Sequence, residues 1–139
     1  MKILIDTDVI LDLFFDRKPY CESAAKILSL CESNKIEGYV TPVIVRNVYY
    51  LLRKRASHNN VITQLRLFLS IVNISPMNKE SILKAINSPF RDFEDALKNY
   101  SAESDETIKI IVTRNVKDYQ DSALSIQTPE SFLRLINAI

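Results

Sequence analysis

Short apolar runs alternate along this chain with longer stretches in which apolar residues return every three or four positions. The first run, Ile3-Leu-Ile5, predicts a strand over residues 2–6. A helix follows over about 7–16, with Val9, Ile10, Leu13 and Phe14 on one face. After a break at Pro19 and Tyr20, the spacing of Ala24, Ile27, Leu28 and Cys31 predicts a second helix over 21–33. Tyr39-Val-Thr41 reads as a short strand. Thr41-Pro42 opens a third helix, to about 56, because proline at the first helical position gives up an N–H that has no partner there. Val45, Val48, Tyr49 and Leu52 point inward from it. A fourth helix is expected over about 61–70, a strand at Val72–Ile74 and a fifth helix over about 78–87. A sixth starts at Asp92 and reaches about 103. Ile108–Val112 is the strongest strand signal, rich in β-branched residues. Leu124–Ile126 is a weak last strand, and Thr128-Pro129-Glu130 caps a final helix carrying Phe132, Leu133, Leu135 and Ile136. Strands and helices that alternate through short loops imply a parallel sheet covered on both sides. The expectation is an α/β fold, a three-layer α/β/α sandwich with a short-stranded sheet, as a single domain over 1–139.

Composition removes whole classes of chemistry. Hydrophobic content of 47% and charged content of 25% are those of an ordinary globular protein. The net charge of +1 supplies no global field for nucleic acid, so any basic surface has to be local. Two cysteines without a CxxC and a single histidine rule out a cysteine/histidine zinc site and argue against a disulfide scaffold. His58 lies in Ala-Ser-His-Asn-Asn and reads as a loop residue. With only Gly38, neither GxGxxG nor GxxxxGK[ST] can be written. No apolar run approaches a membrane span, and no leader pattern fits around Lys2. A cytoplasmic setting with no membrane contact is expected.

Acidic residues gather where strands end and helices begin: Asp6 and Asp8, Asp92 and Asp95, and Asp118. In a parallel sheet all carboxyl ends lie on one edge, so Asp6 and the loop after Val112 meet there, and Asp95 can reach the same edge. Carboxylates clustered without histidine or cysteine suit Mg²⁺ or Mn²⁺. The same residues also suit helix caps and first-turn positions, and Asp118 an exposed turn.

The four segments Ile3-Leu-Ile-Asp6-Thr-Asp-Val-Ile-Leu-Asp12, Thr41-Pro-Val-Ile-Val-Arg-Asn47-Val-Tyr-Tyr, Asp92-Phe-Glu-Asp95-Ala-Leu and Ile111-Val-Thr113-Arg-Asn115-Val-Lys-Asp118-Tyr, in this order, resemble the PIN domain. The closing Leu124-Ser-Ile-Gln-Thr-Pro-Glu-Ser-Phe-Leu133 does so too, and within the family the likeness is to the bacterial VapC-like toxin group. The resemblance implies a Mg²⁺- or Mn²⁺-dependent endoribonuclease held in check by an antitoxin protein, and leaves a homodimer open. Asp6 matches the first family acid and Asp95 the third. The second falls at Asn47 and the fourth at Asn115, each keeping an oxygen and losing a charge. Asp8 replaces a common asparagine, and Asp118 is a further carboxylate nearby. The implied metal set is therefore Asp6, Asp8, Asp95, Asp118, Asn47 and Asn115. Asp6, Asp95 and Thr113 are the implied catalytic residues. Arg46, Arg53, Arg114 and Lys117 border the motifs, where they would hold an RNA backbone.

Two other readings stand beside this one. Asn47 and Asn115 suit a weakened PIN domain that binds RNA or protein without cutting. Asp6-x-Asp8 after an apolar strand suits an aspartyl-phosphate phosphatase, although the chain is short for that fold.

Overall fold

The computed structural model describes residues 1–137; the last two positions of the expected 1–139 domain lie outside the described residues. Five strands, β1 (Lys2–Ile5), β2 (Glu37–Val40), β3 (Asn73–Ile74), β4 (Ile108–Val112) and β5 (Ser125–Gln127), form one parallel sheet in the order β3-β2-β1-β4-β5. The described residues form seven helices: α1 (Thr7–Phe14), α2 (Cys21–Glu32), α3 (Pro42–Leu52), α4 (His58–Leu69), α5 (Lys79–Ile86) and α6 (Phe93–Glu103) lie between strands, and α7 (Pro129–Leu135) follows β5. The expected α/β architecture is present.

The strands form because they are apolar on both faces: Ile3, Leu4 and Ile5 of β1 and Ile111 and Val112 of β4 are wholly buried. A strand covered on both sides needs a near-continuous apolar run, which is what a parallel sheet demands. The helices start where a short polar side chain can take an unpaired N–H. Thr41 accepts from Ile44 N, Ser57 from Asn60 N, Asn78 from Ser81 N, Asp92 from Asp95 N and Thr128 from Ser131 N. Such a cap contributes about 1 kcal/mol. Gly38 is required by packing. A Cβ there would stand 2.7 Å from Cys31 Sγ and 2.9 Å from Ile5 Cδ1, so α2 lies directly on β2.

Chain order turns back between β1 and β4. The first two crossovers carry the chain outward through β2 to β3, and α5 and α6 return it to the other side of β1. A crevice opens at such a switch point, at the carboxyl ends of the strands. Asp6 N donates to Val112 O at 3.0 Å and Thr113 N to Gln127 O at 2.9 Å. These two bonds align the ends of β1, β4 and β5 and set Asp6 beside Thr113.

Three local expectations need correction. His58 is the first residue of α4, because Ser57 caps the helix three residues earlier than the apolar pattern begins. Helix α3 stops at Leu52 short of 56, and β2 begins at Glu37 ahead of Tyr39. The segment after Asn115 contains a 3₁₀ turn, Val116–Tyr119, which buries the Tyr119 ring completely.

Candidate functional site

Asp6 closes β1 and caps α1, its Oδ1 accepting from Thr7 N at 2.8 Å. The same oxygen accepts from Lys98 Nζ at 2.8 Å. Its other oxygen, Oδ2, accepts from Thr113 Oγ1 and from Tyr119 Oη, both at 3.0 Å. Four donors thus saturate one buried carboxylate, which is the usual condition for burying a charge.

Lys98 is the central surprise. It lies one turn beyond Asp95 on α6, so helix geometry sets both side chains on one face. Its ammonium stands 3.1 Å from Asp95 Oδ1 and 4.0 Å from Glu94 Oε1, as well as 2.8 Å from Asp6. The side chains of Lys98, Asp6 and Asp95 are 6%, 5% and 13% exposed, whereas that of Glu94 is 49% exposed. Burial works against the Lys98 charge, but Asp6 and then Asp95 outweigh it and its pKa is raised. Asp95 moves upward through burial, against the pull of Lys98. Burial and the neighbouring carboxylates push the Tyr119 hydroxyl far up, so it stays a donor.

Asp8 stands on the other side of Asp6. Its Oδ2 accepts from Arg114 N and Asn115 Nδ2, both at 3.0 Å, while its buried Oδ1 has no partner. Burial, and then the charge of Asp6, raises Asp8 to about 6, with the Arg114 amide opposing. Arg114 itself grips the wholly buried Asp12 at 2.7 and 3.0 Å and covers the Tyr20 ring at 4.1 Å. The bidentate bond to Asp12 raises the guanidinium pKa further.

The structure therefore brings together Asp6, Asp8, Asp95, Thr113, Arg114 and Asn115, and leaves others apart. Asn47 Nδ2 bonds Glu94 Oε1 and so touches the cluster at one remove. Asp118 is exposed and lines, with Arg91, Asp92, Asp95, Lys117 and Asp121, an adjoining cleft of about 300 Å³. Arg46 stacks on Tyr50. Arg53 sits at the C-terminal end of α3, away from the strand edge, bonded to Ala56 O. Among the described residues, no three acidic, histidine or cysteine side chains form a ready metal cage. Of the six expected ligands, Asp6, Asp8, Asp95 and Asn115 lie together, Asn47 reaches them through Glu94, and Asp118 lines the adjoining cleft. An ammonium occupies the position between Asp6 and Asp95, and Asn47 is engaged with Glu94.

Lys98, Glu94, Asp12 and Tyr119 escaped the reading of the sequence. A lysine in an amphipathic helix reads as a solvated charge, and only its i,i+3 spacing from Asp95 signals a pair. Asp12, on α1 among apolar neighbours, carried the visible anomaly of a charge inside the buried stretch.

The chain and its fold have counterparts among known proteins. A profile described as the PIN domain matches residues 2–117. Ribonuclease VapC1 of Aquifex aeolicus (strain VF5) is 25% identical over 143 residues, covering 99% of this chain and 97% of that protein. Among solved structures, VapBC2 from Rickettsia felis bound to a DNA fragment from its promoter superposes with a TM-score of 0.70. It is 16% identical and covers 92% of this chain and 98% of its own. VapBC-1 from nontypeable Haemophilus influenzae gives a TM-score of 0.69 at 18% identity, covering 94% and 99%. With the strand order, the switch-point crevice and the ordered motifs all in agreement, the chain belongs to the PIN-domain family.

Proposed function

We propose that this chain is a Mg²⁺- or Mn²⁺-dependent endoribonuclease of the toxin type, with Asp6 and Asp95 as the carboxylates that hold the ion. The observation that carries this reading is the buried ammonium bridging those two residues at the switch-point edge. It is a stand-in ion: a cation is favoured at that point, and both donors are hard oxygens. Mg²⁺ keeps several waters and is bound through one or two carboxylates plus substrate phosphate, so a three-acid cage is not required. Asp8, with its unpartnered Oδ1, is the third carboxylate in reach of the edge. Asn115 orients Asp8, and Asp118 and Asn47 serve outside the primary pair.

A bound divalent ion supplies an activated water and neutralises charge on the phosphodiester. The rest falls to the chain. Thr113 and Tyr119 hold Asp6 by donating to Oδ2, which fixes the orientation of the carboxylate. Thr113, expected as a catalytic residue, is in this reading a positioning residue for Asp6. Asp12 fixes the Arg114 guanidinium, and Arg114 together with the exposed Lys117 and Arg46 would present positive charge to an RNA backbone. Arg53, at the far end of α3, would meet only a strand that extends well beyond the site.

The similarity to a ribonuclease and to VapBC complexes supports RNA as substrate and an antitoxin as partner. One sheet joining all the described strands supports a single functional domain. No described helix is long and apolar enough to cross a membrane, and a cytoplasmic location is part of the proposal. The second reading, an RNA- or protein-binding module without cleavage, is favoured by Lys98 itself, since a filled cation site needs no metal. Cleavage of labelled RNA in Mn²⁺ and in EDTA, by wild type and Asp95→Asn, decides between them. Cutting by the wild type in Mn²⁺ alone, lost in the variant, is the expected outcome. Folded wild-type protein that binds RNA and cuts none in any divalent ion selects the binding module.

A further inference from the structure

Asp6 has no free lone-pair direction of the usual kind. Thr7 N and Lys98 take Oδ1, and Thr113 and Tyr119 take Oδ2. A divalent ion reaching Asp6 has to replace one of these donors. Thr7 N is main chain in the first turn of α1. Thr113 and Tyr119 are wholly buried, their positions set by the strand end and the 3₁₀ turn. Lys98 alone reaches in on a flexible four-carbon stem.

Its ammonium also has somewhere to go. Glu94 Oε1 is 4.0 Å away on the solvent side of the cluster, one helical turn back along α6. The Asn47 amide donates to that same oxygen and holds Glu94 toward the site. Buried Asp6 and half-exposed Glu94 thus form two acceptors within reach of one cation.

We propose that Lys98 is a displaceable counter-ion: it bridges Asp6 and Asp95 when no metal is present, and a divalent ion binds by driving its ammonium across to Glu94. Lys98 then sets the metal affinity and holds the two carboxylates together between turnovers. Asn47, where the family places an acid, serves here to position the acceptor. The inference rests on the metal-dependent reading of the Asp6–Asp95 pair.

Calorimetric titration of MnCl₂ into the full chain, without RNA, tests it. Lys98→Gln is expected to bind Mn²⁺ at least about tenfold tighter than the wild type, since a positive charge leaves the ion's own position. Lys98→Arg, which keeps the charge, gains nothing. Glu94→Gln, at an exposed side chain that leaves folding intact, weakens binding wherever Lys98 is present and has no effect in the Lys98→Gln background. Mn²⁺ bound equally by wild type and Lys98→Gln, and lost with Asp95→Asn, overturns the counter-ion role while leaving the metal site standing. The same Glu94→Gln loss in both backgrounds makes Glu94 a ligand and overturns its part as acceptor. If no variant binds Mn²⁺ in a way that depends on Asp95, the metal-dependent reading falls and the counter-ion falls with it.

Discussion

Removing both members of the Asp6–Lys98 pair should cost less than the sum of removing each alone. Lys98→Met keeps the length of the side chain and strips its charge, leaving Asp6 and Asp95 facing each other without a cation. Asp6→Ala leaves the buried ammonium with Asp95 and, at 4.0 Å, Glu94, and deprives the Thr113 and Tyr119 hydroxyls of their 3.0 Å acceptor, leaving only the longer bonds to Asp8 and Asp95. Breaking a buried pair by deleting one partner costs about 3–5 kcal/mol, chiefly through the charge left behind. Against a total stability of about 5–15 kcal/mol, either variant stays measurable but loses a large share. The double variant removes both charges, and its remaining penalty is the two buried hydroxyls left with only their longer acceptors, each about 1–3 kcal/mol. A loss of about 2–6 kcal/mol is therefore expected, against a sum of about 6–10 for the single changes, a coupling of about 4 kcal/mol at mid-range. Urea unfolding of the four proteins at pH 7 measures this, with unchanged denaturant slopes as the check that the unfolded states are comparable. Additivity to within about 0.5 kcal/mol would mean that the ammonium and the carboxylate do not stabilise each other.

Three further outcomes follow from single positions. Gly38→Ala should destabilise by about 1–3 kcal/mol, visible as a lower melting temperature, because the new methyl meets Cys31 and Ile5 below van der Waals distance. Asp8 has its folded-state pKa raised from 3.8 to about 6, so the folded protein holds that proton more tightly than the unfolded chain. Its contribution is favourable at low pH and is lost as pH rises through about 6; urea unfolding should show the wild type falling behind Asp8→Asn between pH 4 and pH 7. Arg46→Ala should weaken RNA binding and flatten the dependence of log affinity on log salt by about 0.7, one phosphate contact, with thermal stability unchanged.

Much of the fold was legible because its causes are local. Apolar runs covered on both faces announce parallel strands, and Thr41-Pro42 and Thr128-Pro129 announce helix starts. Asp6, Asp95 and Thr113 could be expected at one edge because parallel strands end together. Lys98 could not, since its burial depends on how α6 leans over the end of β1, a packing relation that no window of sequence contains. Tyr119 has the same cause, being buried by a 3₁₀ turn with no apolar period. The exchange of Asn47 from ligand to partner of Glu94 depends on the approach of α3 to α6, two helices 47 residues apart at that contact. Element ends moved by a few residues where a cap overrode the apolar pattern, as Ser57 does at His58.

The most direct test of the cation site is a crystal of the wild-type protein grown with saturating MnCl₂, with the metal located by its anomalous scattering. A peak within bonding distance of both Asp6 and Asp95, with the Lys98 ammonium withdrawn to Glu94, is the expected result. A peak at any other group of side chains, or Lys98 still bridging the two carboxylates in a crystal of protein that cuts RNA, would contradict it.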